Sequence, residues 1–361
     1  MSRNLISLSF AASLLGGTAM ADVPNVAADI APVHSLVARV MQGVGEPSLI
    51  VAPGASPHEY NLRPSEAAAL QDADLVFWVS PDLTPWLDGA IETLASGASL
   101  TDLLEVDGTT ELPFREGALF EAHMHGDEDH GDHEHEGHDH DDHAHDEDHE
   151  GHDEHDHEDH DHEEHADDKE HGDEEHADHG HEGHDHEGHD HGDNDPHAWL
   201  SPDNGAVWLN AIAAQLSAAD PDNAGAYFAN AAAAREELTA LSAEINGILD
   251  PVRGRNFIVF HDAYQYFEAA FDVPASGAIS VSDASDPSPA RIAEIQARVE
   301  EQGVTCVLSE PQFDPGMVDA VMDGSEANTG VLDPLGSDLK PGPDLYGNVL
   351  RNLATALADC L

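Results

Sequence analysis

Residues 123–191 form a tract of 69 residues that consists almost only of histidine, acidic residues and small residues. It contains 24 of the 28 histidines of the chain, 32 aspartates and glutamates, and a single lysine, Lys169. Burial of apolar surface offsets the entropy lost when a chain is ordered, and this tract has almost no apolar surface. We therefore expect residues 121–193 to be a disordered acidic loop inserted between folded parts of the chain.

The composition of the tract also indicates metal binding. Neutral imidazole suits zinc, copper and nickel, and short His-rich tracts are typical of metal-binding segments. We expect auxiliary weak metal sites between His123 and His191, with a solvated acidic linker as the alternative. Protonation of the imidazoles in mild acid is expected to lower both the negative charge of the tract and its metal affinity.

The net charge of the chain is −62, and half of it lies outside the tract. A field of this sign argues against nucleic acid and anionic membrane surfaces as partners. A cationic ligand fits it better.

The first 21 residues have the pattern of a signal peptide. Arg3 gives a positive start, an apolar stretch follows, and Ala19-Met20-Ala21 is an A-x-A cleavage site. We predict a mature N-terminus at Asp22, export to a periplasm, and no membrane insertion after cleavage. A retained membrane anchor is the alternative, although the apolar run is short for a membrane span.

The chain has two cysteines, Cys306 and Cys360. In an oxidising compartment such a pair favours a disulfide over two reactive thiols. Zinc ligation by cysteine is disfavoured, because the chain has no CxxC pair.

Outside the tract, short apolar runs alternate with helical patterns, which predicts parallel sheets covered by helices. The predicted class is α/β, with two (βα)4 lobes that each contain a four-stranded parallel sheet. The N-terminal lobe is expected at 22–220 and the C-terminal lobe at 251–361. Residues 221–250 are predicted to form one long, rigid linker helix between them, with Asp220 as its N-cap.

Four histidines lie outside the tract, and three of them occupy positions typical of a binding cleft. His58 follows a predicted strand at 48–52, His261 ends a predicted strand, and His197 lies where the tract meets ordered chain. Ligands of parallel α/β folds lie at the carboxyl ends of the strands, so these imidazoles could converge from the two lobes. Three imidazoles would supply most of a four-ligand zinc shell. Taken singly, each could instead be an ordinary loop histidine.

Five longer motifs carry a family resemblance. They are GASPHEYNLRPSEAAALQDADLVFWVSPDL (54–83), HAWLSP (197–202), FIVFHDAYQYFEAAF (257–271), TCVLSEPQF (305–313) and LDPLG (332–336). The chain resembles the ZnuA-like zinc-binding components of bacterial ABC zinc importers over essentially its whole mature length. The resemblance implies two (βα)4 lobes joined by a long helix, with the metal held between them and a His-rich loop ahead of the second ligand.

By motif position, the resemblance implies that His58, His197 and His261 are zinc ligands. Manganese-binding relatives resemble a motif with glutamate at the position of His261, and three neutral nitrogens suit zinc better than manganese. The two cysteines match a disulfide of close relatives. The implied protein is not an enzyme: it is a monomeric periplasmic solute-binding protein that delivers Zn²⁺ to an inner-membrane permease with a cytoplasmic ATPase.

The fourth zinc ligand is left open by the sequence. Some relatives have glutamate immediately before the first ligand histidine, but this chain has Pro57 there. Asp333, at the end of the last predicted strand, is the first candidate, directly or through water; its alternative role is that of a turn residue. Glu59 is a weaker candidate, and a water molecule is a third.

Two further residues are expected near the cleft. Glu310 ends a predicted strand of the C-terminal lobe, and we expect it to orient a ligand imidazole; a surface-loop position is its alternative. His34 could be a ligand or line the cleft, or it could serve in helix capping or packing.

Two other functions use the same features. A zinc storage or buffer protein would use the tract as its main site and the lobes as a scaffold. A zinc hydrolase would use three histidines with an open fourth position. If the protein instead serves zinc transport, the tract collects or senses zinc for the cleft.

Overall fold

The computed structural model describes residues 23–115, 120, 194–280, 288–314 and 316–361. The predicted signal peptide and the predicted disordered loop lie outside the described residues. The described residues before and after the tract belong to one compact unit.

The two central strands of the first sheet are short, apolar and buried. Its strands are β1 (Val26–Ala28), β2 (Ser48–Leu49), β3 (Leu75–Trp78) and β4 (Ser99–Asp102). They are all parallel, in the order β2-β1-β3-β4. The helices of this part are α1 (Ala31–Val40), α2 (Pro64–Gln71), α3 (Pro85–Leu94) and α4 (Pro202–Ala219). Strand β2 is shorter than predicted, although Ile50 and Val51 still donate backbone hydrogen bonds to the β1 side.

The second sheet repeats this arrangement. Its strands are β5 (Phe257–His261), β6 (Gly277–Ser280), β7 (Cys306–Ser309) and β8 (Asn328–Val331), all parallel in the order β6-β5-β7-β8. Its helices are α6 (Gln265–Phe271), α7 (Pro289–Glu301), α8 (Gly316–Met322) and α9 (Leu345–Cys360). The predicted α/β class with two four-stranded parallel sheets is confirmed.

The long helix between the sheets, α5, spans Ala224–Leu249, with a 3-10 turn on either side. Its 26 residues correspond to about 39 Å. Its buried residues recur every three or four positions. It packs against α1 and α4, which precede it in the sequence, and against α6 and α9, which follow it. It is thus part of a shared core as well as a connection. Among the described residues, α5 included, no helix has both the length and the apolar character needed to cross a membrane.

Cys306 and Cys360 form a disulfide, as predicted. The bond joins the start of β7 to the last residue of α9, across 54 positions of sequence. The C-terminal helix is therefore covalently tied to the second sheet.

Candidate metal centre

His58, His197 and His261 come together at the carboxyl ends of the strands. One ring nitrogen of each lies within 4.8 Å of the other two, and within the described residues no further carboxylate or histidine joins this group. The Nε2 atoms of His197 and His261 are 3.4 Å apart. Zn–N bonds of about 2.0–2.1 Å in a tetrahedron place two nitrogens about 3.3–3.4 Å apart. The spacing of these two atoms therefore matches a shared zinc ion.

His261 is positioned by the apolar strand β5, of which it is the last residue. Glu310, which directly follows β7, is 4% exposed. Its Oε1 accepts hydrogen bonds from His261 Nδ1 at 2.6 Å and from the His261 backbone N–H at 3.3 Å. The carboxylate thus keeps the proton on Nδ1 and leaves the Nε2 lone pair for a metal. Glu310 occupies the orienting position expected from the sequence.

His197 is held in the same way, by a residue that the sequence analysis did not single out. Asp195 Oδ1 accepts from the His197 backbone N–H at 2.9 Å and from His197 Nδ1 at 2.7 Å. The signal was present in the sequence as a carboxylate two residues before a candidate ligand. Trp199 packs beside the imidazole and donates from Nε1 to the Pro334 carbonyl of the C-terminal part at 3.0 Å.

His58 lies on an irregular loop after β2 and is only partly buried. The loop is fastened to α3 by Trp86, whose Nε1 donates to the Pro57 carbonyl at 2.6 Å. The Tyr60 ring packs on Trp86, and the Tyr60 hydroxyl donates to Glu66 at 2.8 Å. These contacts hold the loop so that His58 faces the other two imidazoles, with ring centroids 5.4 and 6.2 Å away.

The three imidazoles line a cavity of about 10 Å³, which is comparable to the space that one water molecule needs. Its other walls are largely apolar and include Trp199, Phe313 and Leu335. A site of this size and polarity suits a single small cation held by nitrogen.

Asp333 lies in a turn, which is the alternative role considered for it. Its carboxylate accepts from the backbone amides of Leu335, Gly336 and Ser337 at 3.1, 2.9 and 2.5 Å. Gln312 Nε2 also donates to it, at 3.1 Å. Asp333 does not belong to the group of ligand atoms around the cavity, and neither does the exposed Glu59. A ligand role for either one, or for water, stays a prediction.

His34 lies inside α1 and is outside the ligand group. Its Nε2 lies 3.1 Å from the Pro47 carbonyl oxygen, and the ring is buried. Burial lowers the pKa of His34 below its ordinary value, so the neutral ring is favoured. This arrangement corresponds to the packing role.

Comparison with known proteins gives consistent matches along the chain. The family model described as "Zinc-uptake complex component A periplasmic" (ZnuA) matches residues 26–360. The high-affinity zinc uptake system protein ZnuA of Brucella abortus is 47% identical, with 99% of each chain covered. The protein of the same name from Paracoccus denitrificans is 45% identical, covering 97% of this chain and 96% of that protein.

Solved structures share the fold at lower identity. A crystal structure of ZnuA matches with a TM-score of 0.66 and 21% identity, covering 94% of this chain and 99% of that chain. A manganese-bound periplasmic metal-binding protein from Candidatus Liberibacter asiaticus matches with a TM-score of 0.63 and 16% identity, covering 93% and 98%. The fold alone therefore does not select the metal. The full-length sequence matches do assign the family: the chain belongs to the ZnuA family of periplasmic zinc-uptake components.

Proposed function

We propose that this protein captures one Zn²⁺ ion with His58, His197 and His261 and delivers it to the permease of an ABC zinc importer. The relatives named above are zinc uptake proteins. The three histidines supply nitrogen ligands, which suit zinc better than manganese. The zinc ion is the transported ligand and takes part in no bond-making step.

The observation that carries this proposal is the pairing of two ligand imidazoles with buried carboxylates. Asp195 holds Nδ1 of His197, and Glu310 holds Nδ1 of His261. A protonated Nδ1 in a neutral ring leaves Nε2 as the metal-binding atom, and the carboxylate raises its basicity. Two carboxylates also balance the double charge of a zinc ion in a buried cavity, where an unbalanced charge would be costly.

Delivery requires partners outside this chain. We infer an inner-membrane permease with a cytoplasmic ATPase, because the family is the periplasmic component of a zinc uptake complex. Export by cleavage after residue 21 and a monomeric state complete the proposal. The hydrolase alternative lacks a comparable observation, since each carboxylate described beside the ligand imidazoles already accepts a hydrogen bond from one of them.

The tract is assigned a supporting role in this proposal. The 69 residues of the tract are joined through the chain to His197, and tethering of this kind gives an effective concentration on the order of mM. The tract would collect zinc weakly and pass it to the three-histidine site. Deletion of residues 123–191 should then slow zinc loading at submicromolar free zinc and leave the final affinity unchanged. Unchanged loading rates would make the tract a buffer only.

A calorimetric zinc titration of the mature protein tests the main proposal. The full chain should show one tight event followed by several weaker ones. The triple variant His58→Ala, His197→Ala, His261→Ala should lose the tight event and retain the weaker ones, whereas deletion of residues 123–191 should do the reverse. Survival of a tight one-to-one event when the triple substitution is made in the deletion protein would show that zinc binds elsewhere.

A further inference from the structure

The segments that flank the tract form a short two-stranded stem, defined here as residues 111–115 and 194–195. Pro113 and Asn194 form an isolated antiparallel bridge, and the Asp195 amide donates to the Leu112 carbonyl at 2.8 Å. The second segment leads directly to His197. The stem is therefore continuous with one zinc ligand.

The stem also contacts α6, which follows His261 in the C-terminal part of the chain. The Tyr266 hydroxyl donates to the Asp195 carbonyl at 2.7 Å and accepts from the Leu112 amide at 2.9 Å. Gln265 Nε2 donates to the Pro113 carbonyl at 3.0 Å and to Asp195 Oδ2 at 3.2 Å. Asp195 is thus held by α6 through one oxygen while it holds His197 through the other.

Arg115, at the end of the stem, makes the strongest of these cross-contacts. Its Nε donates to both carboxylate oxygens of Asp262 at 3.0 Å, and its Nη2 donates to Asp262 as well. Its Nη1 and Nη2 donate to the two oxygens of Glu268 at 2.7 and 3.0 Å. The Phe120 ring covers the guanidinium, with 3.6 Å from Cζ to the ring centroid. The Arg115 side chain is only 13% exposed, so these are shielded, charge-assisted bonds.

We propose that Arg115 is a positioning residue that fixes the separation of His197 and His261 and thereby slows zinc dissociation. Asp262 directly follows His261, and Asp195 lies two residues before His197. Because Arg115 and Asp195 both belong to the stem, the stem connects the two ligand histidines independently of a bound metal. This inference rests on the proposed function and adds to it a residue outside the ligand set.

The chemistry of the cluster explains why arginine is needed. Asp262 and Glu268 are both largely buried, and a guanidinium can donate to two carboxylates at once through its planar fork. Without it, two buried carboxylates face each other beside the β5–α6 connection, and their repulsion would move this connection and with it the end of β5, where His261 lies. Lysine would retain the charge but could not bond both carboxylates in this geometry.

The test compares zinc dissociation from the full mature chain and its variants Arg115→Lys and Arg115→Gln. Each protein is loaded with half an equivalent of zinc, so that the tight site fills first, and release into excess EDTA is followed over time. Arg115→Gln should release zinc at least about tenfold faster, and Arg115→Lys should give a smaller increase. The association rate should change little. The double variant Arg115→Gln, Glu268→Gln keeps the experiment usable if the single variant fails to fold, because it removes one of the two unpaired carboxylates.

The matched control is Arg351→Gln, which breaks a forked pair between α9 and Glu244 on α5 away from the histidines. Its dissociation rate should equal that of the parent chain. If the Arg115 variants lose apo-protein stability while their zinc release stays within about twofold of the parent, Arg115 is merely structural and the inference is wrong. If the parent chain itself holds no zinc tightly, the proposed function fails, which is a separate result.

Discussion

The two sheets of this protein share one strand order but use the ends of their central strands differently. Asp29 directly follows β1, and His261 is the last residue of β5; each strand lies between two parallel neighbours. In the first sheet the carboxylate directly follows the central strand, and Asp29 accepts from the amides of Ile30 and Val79, both at 2.7 Å. Val79 directly follows β3.

In the second sheet a carboxylate again links the ends of two neighbouring strands, but it comes from the neighbouring strand and not from the central one. The carboxylate is Glu310, after the neighbouring strand β7, and it accepts from the backbone and the ring of His261. In the first sheet, the carboxylate accepts backbone amides that follow two neighbouring strands and so connects the ends of these strands. In the second sheet, the carboxylate connects the strand ends in the same way and also holds an imidazole that faces the cavity. The end of the central strand therefore has a structural role in the first sheet and carries a metal ligand in the second. The N-terminal part of the chain contributes His58 and His197 from loops.

The largest expected effect distinguishes the ends of the two central strands directly. Structural zinc sites with four ligands provide about 10–16 kcal/mol, so loss of one nitrogen is worth about 2.5–4 kcal/mol, or roughly 100- to 1000-fold in affinity. His261→Ala should therefore weaken tight zinc binding by that factor in a chelator competition assay. Asp29→Asn, its counterpart, should change the affinity by less than about threefold. Similar losses in both variants would contradict the division of roles.

Asp29 should instead control stability through pH. Burial raises the pKa of Asp29 from 3.8 to about 7, against the opposing effect of its backbone hydrogen bonds. The folded state then binds the proton more tightly than the unfolded state, so the free energy of unfolding falls as pH rises from about 4 to about 7 and levels off above that. A shift of this size corresponds to about 4 kcal/mol.

Urea unfolding of the zinc-free protein at several pH values between 4.5 and 8 measures this effect. The difference between the parent chain and Asp29→Asn should change across this range, because only the parent carries the titrating carboxyl. Parallel curves for the two proteins would show that the buried carboxyl does not titrate in this range.

Glu310→Gln should produce the intermediate effect. Carboxylates that hold a ligand imidazole typically contribute 10- to 100-fold in metal affinity, and we expect a loss of about that size here. The amide can still accept from Nδ1 but carries no charge to balance the zinc ion. Competition with a calibrated zinc chelator measures the loss; an unchanged affinity would leave Glu310 with a packing role only.

The smallest expected effect concerns Asp333. Because its carboxylate accepts three backbone amides in the turn, Asp333→Ala should lower stability by about 1–2 kcal/mol and change zinc affinity by less than about tenfold. Thermal unfolding and the chelator assay measure the two quantities separately. A loss of affinity comparable to that of His261→Ala would instead make Asp333 the fourth ligand.

The sequence predicted those parts of the molecule that depend on local pattern. The apolar run before His261 indicates a buried strand, and the position of the histidine at its end places it at the ligand-binding edge. Helix α5 was predicted from its start signal, Asp220 followed by Pro221, and it is shorter than expected because 3-10 turns take up the residues at Pro221 and Pro251.

The rest of the site depends on contacts between residues far apart in the chain. Arg115 meets Asp262 across 147 positions, and nothing in the local sequence around Arg115 indicates that partner. Asp195 was visible beside His197, but its hold on α6 appears only when Gln265 and Tyr266 are brought to it by folding. For Asp333, the position after a strand suited a ligand and a turn equally; its backbone hydrogen bonds place it in a turn, and a ligand role stays a prediction.

The three-histidine zinc site is tested most directly by a zinc-edge anomalous difference map of the full mature chain crystallised with one equivalent of zinc. We expect one strong peak about 2.0–2.1 Å from ring nitrogens of His58, His197 and His261, with Asp195 and Glu310 behind two of them. A strong peak at any other position, with these three imidazoles unbound, would contradict it.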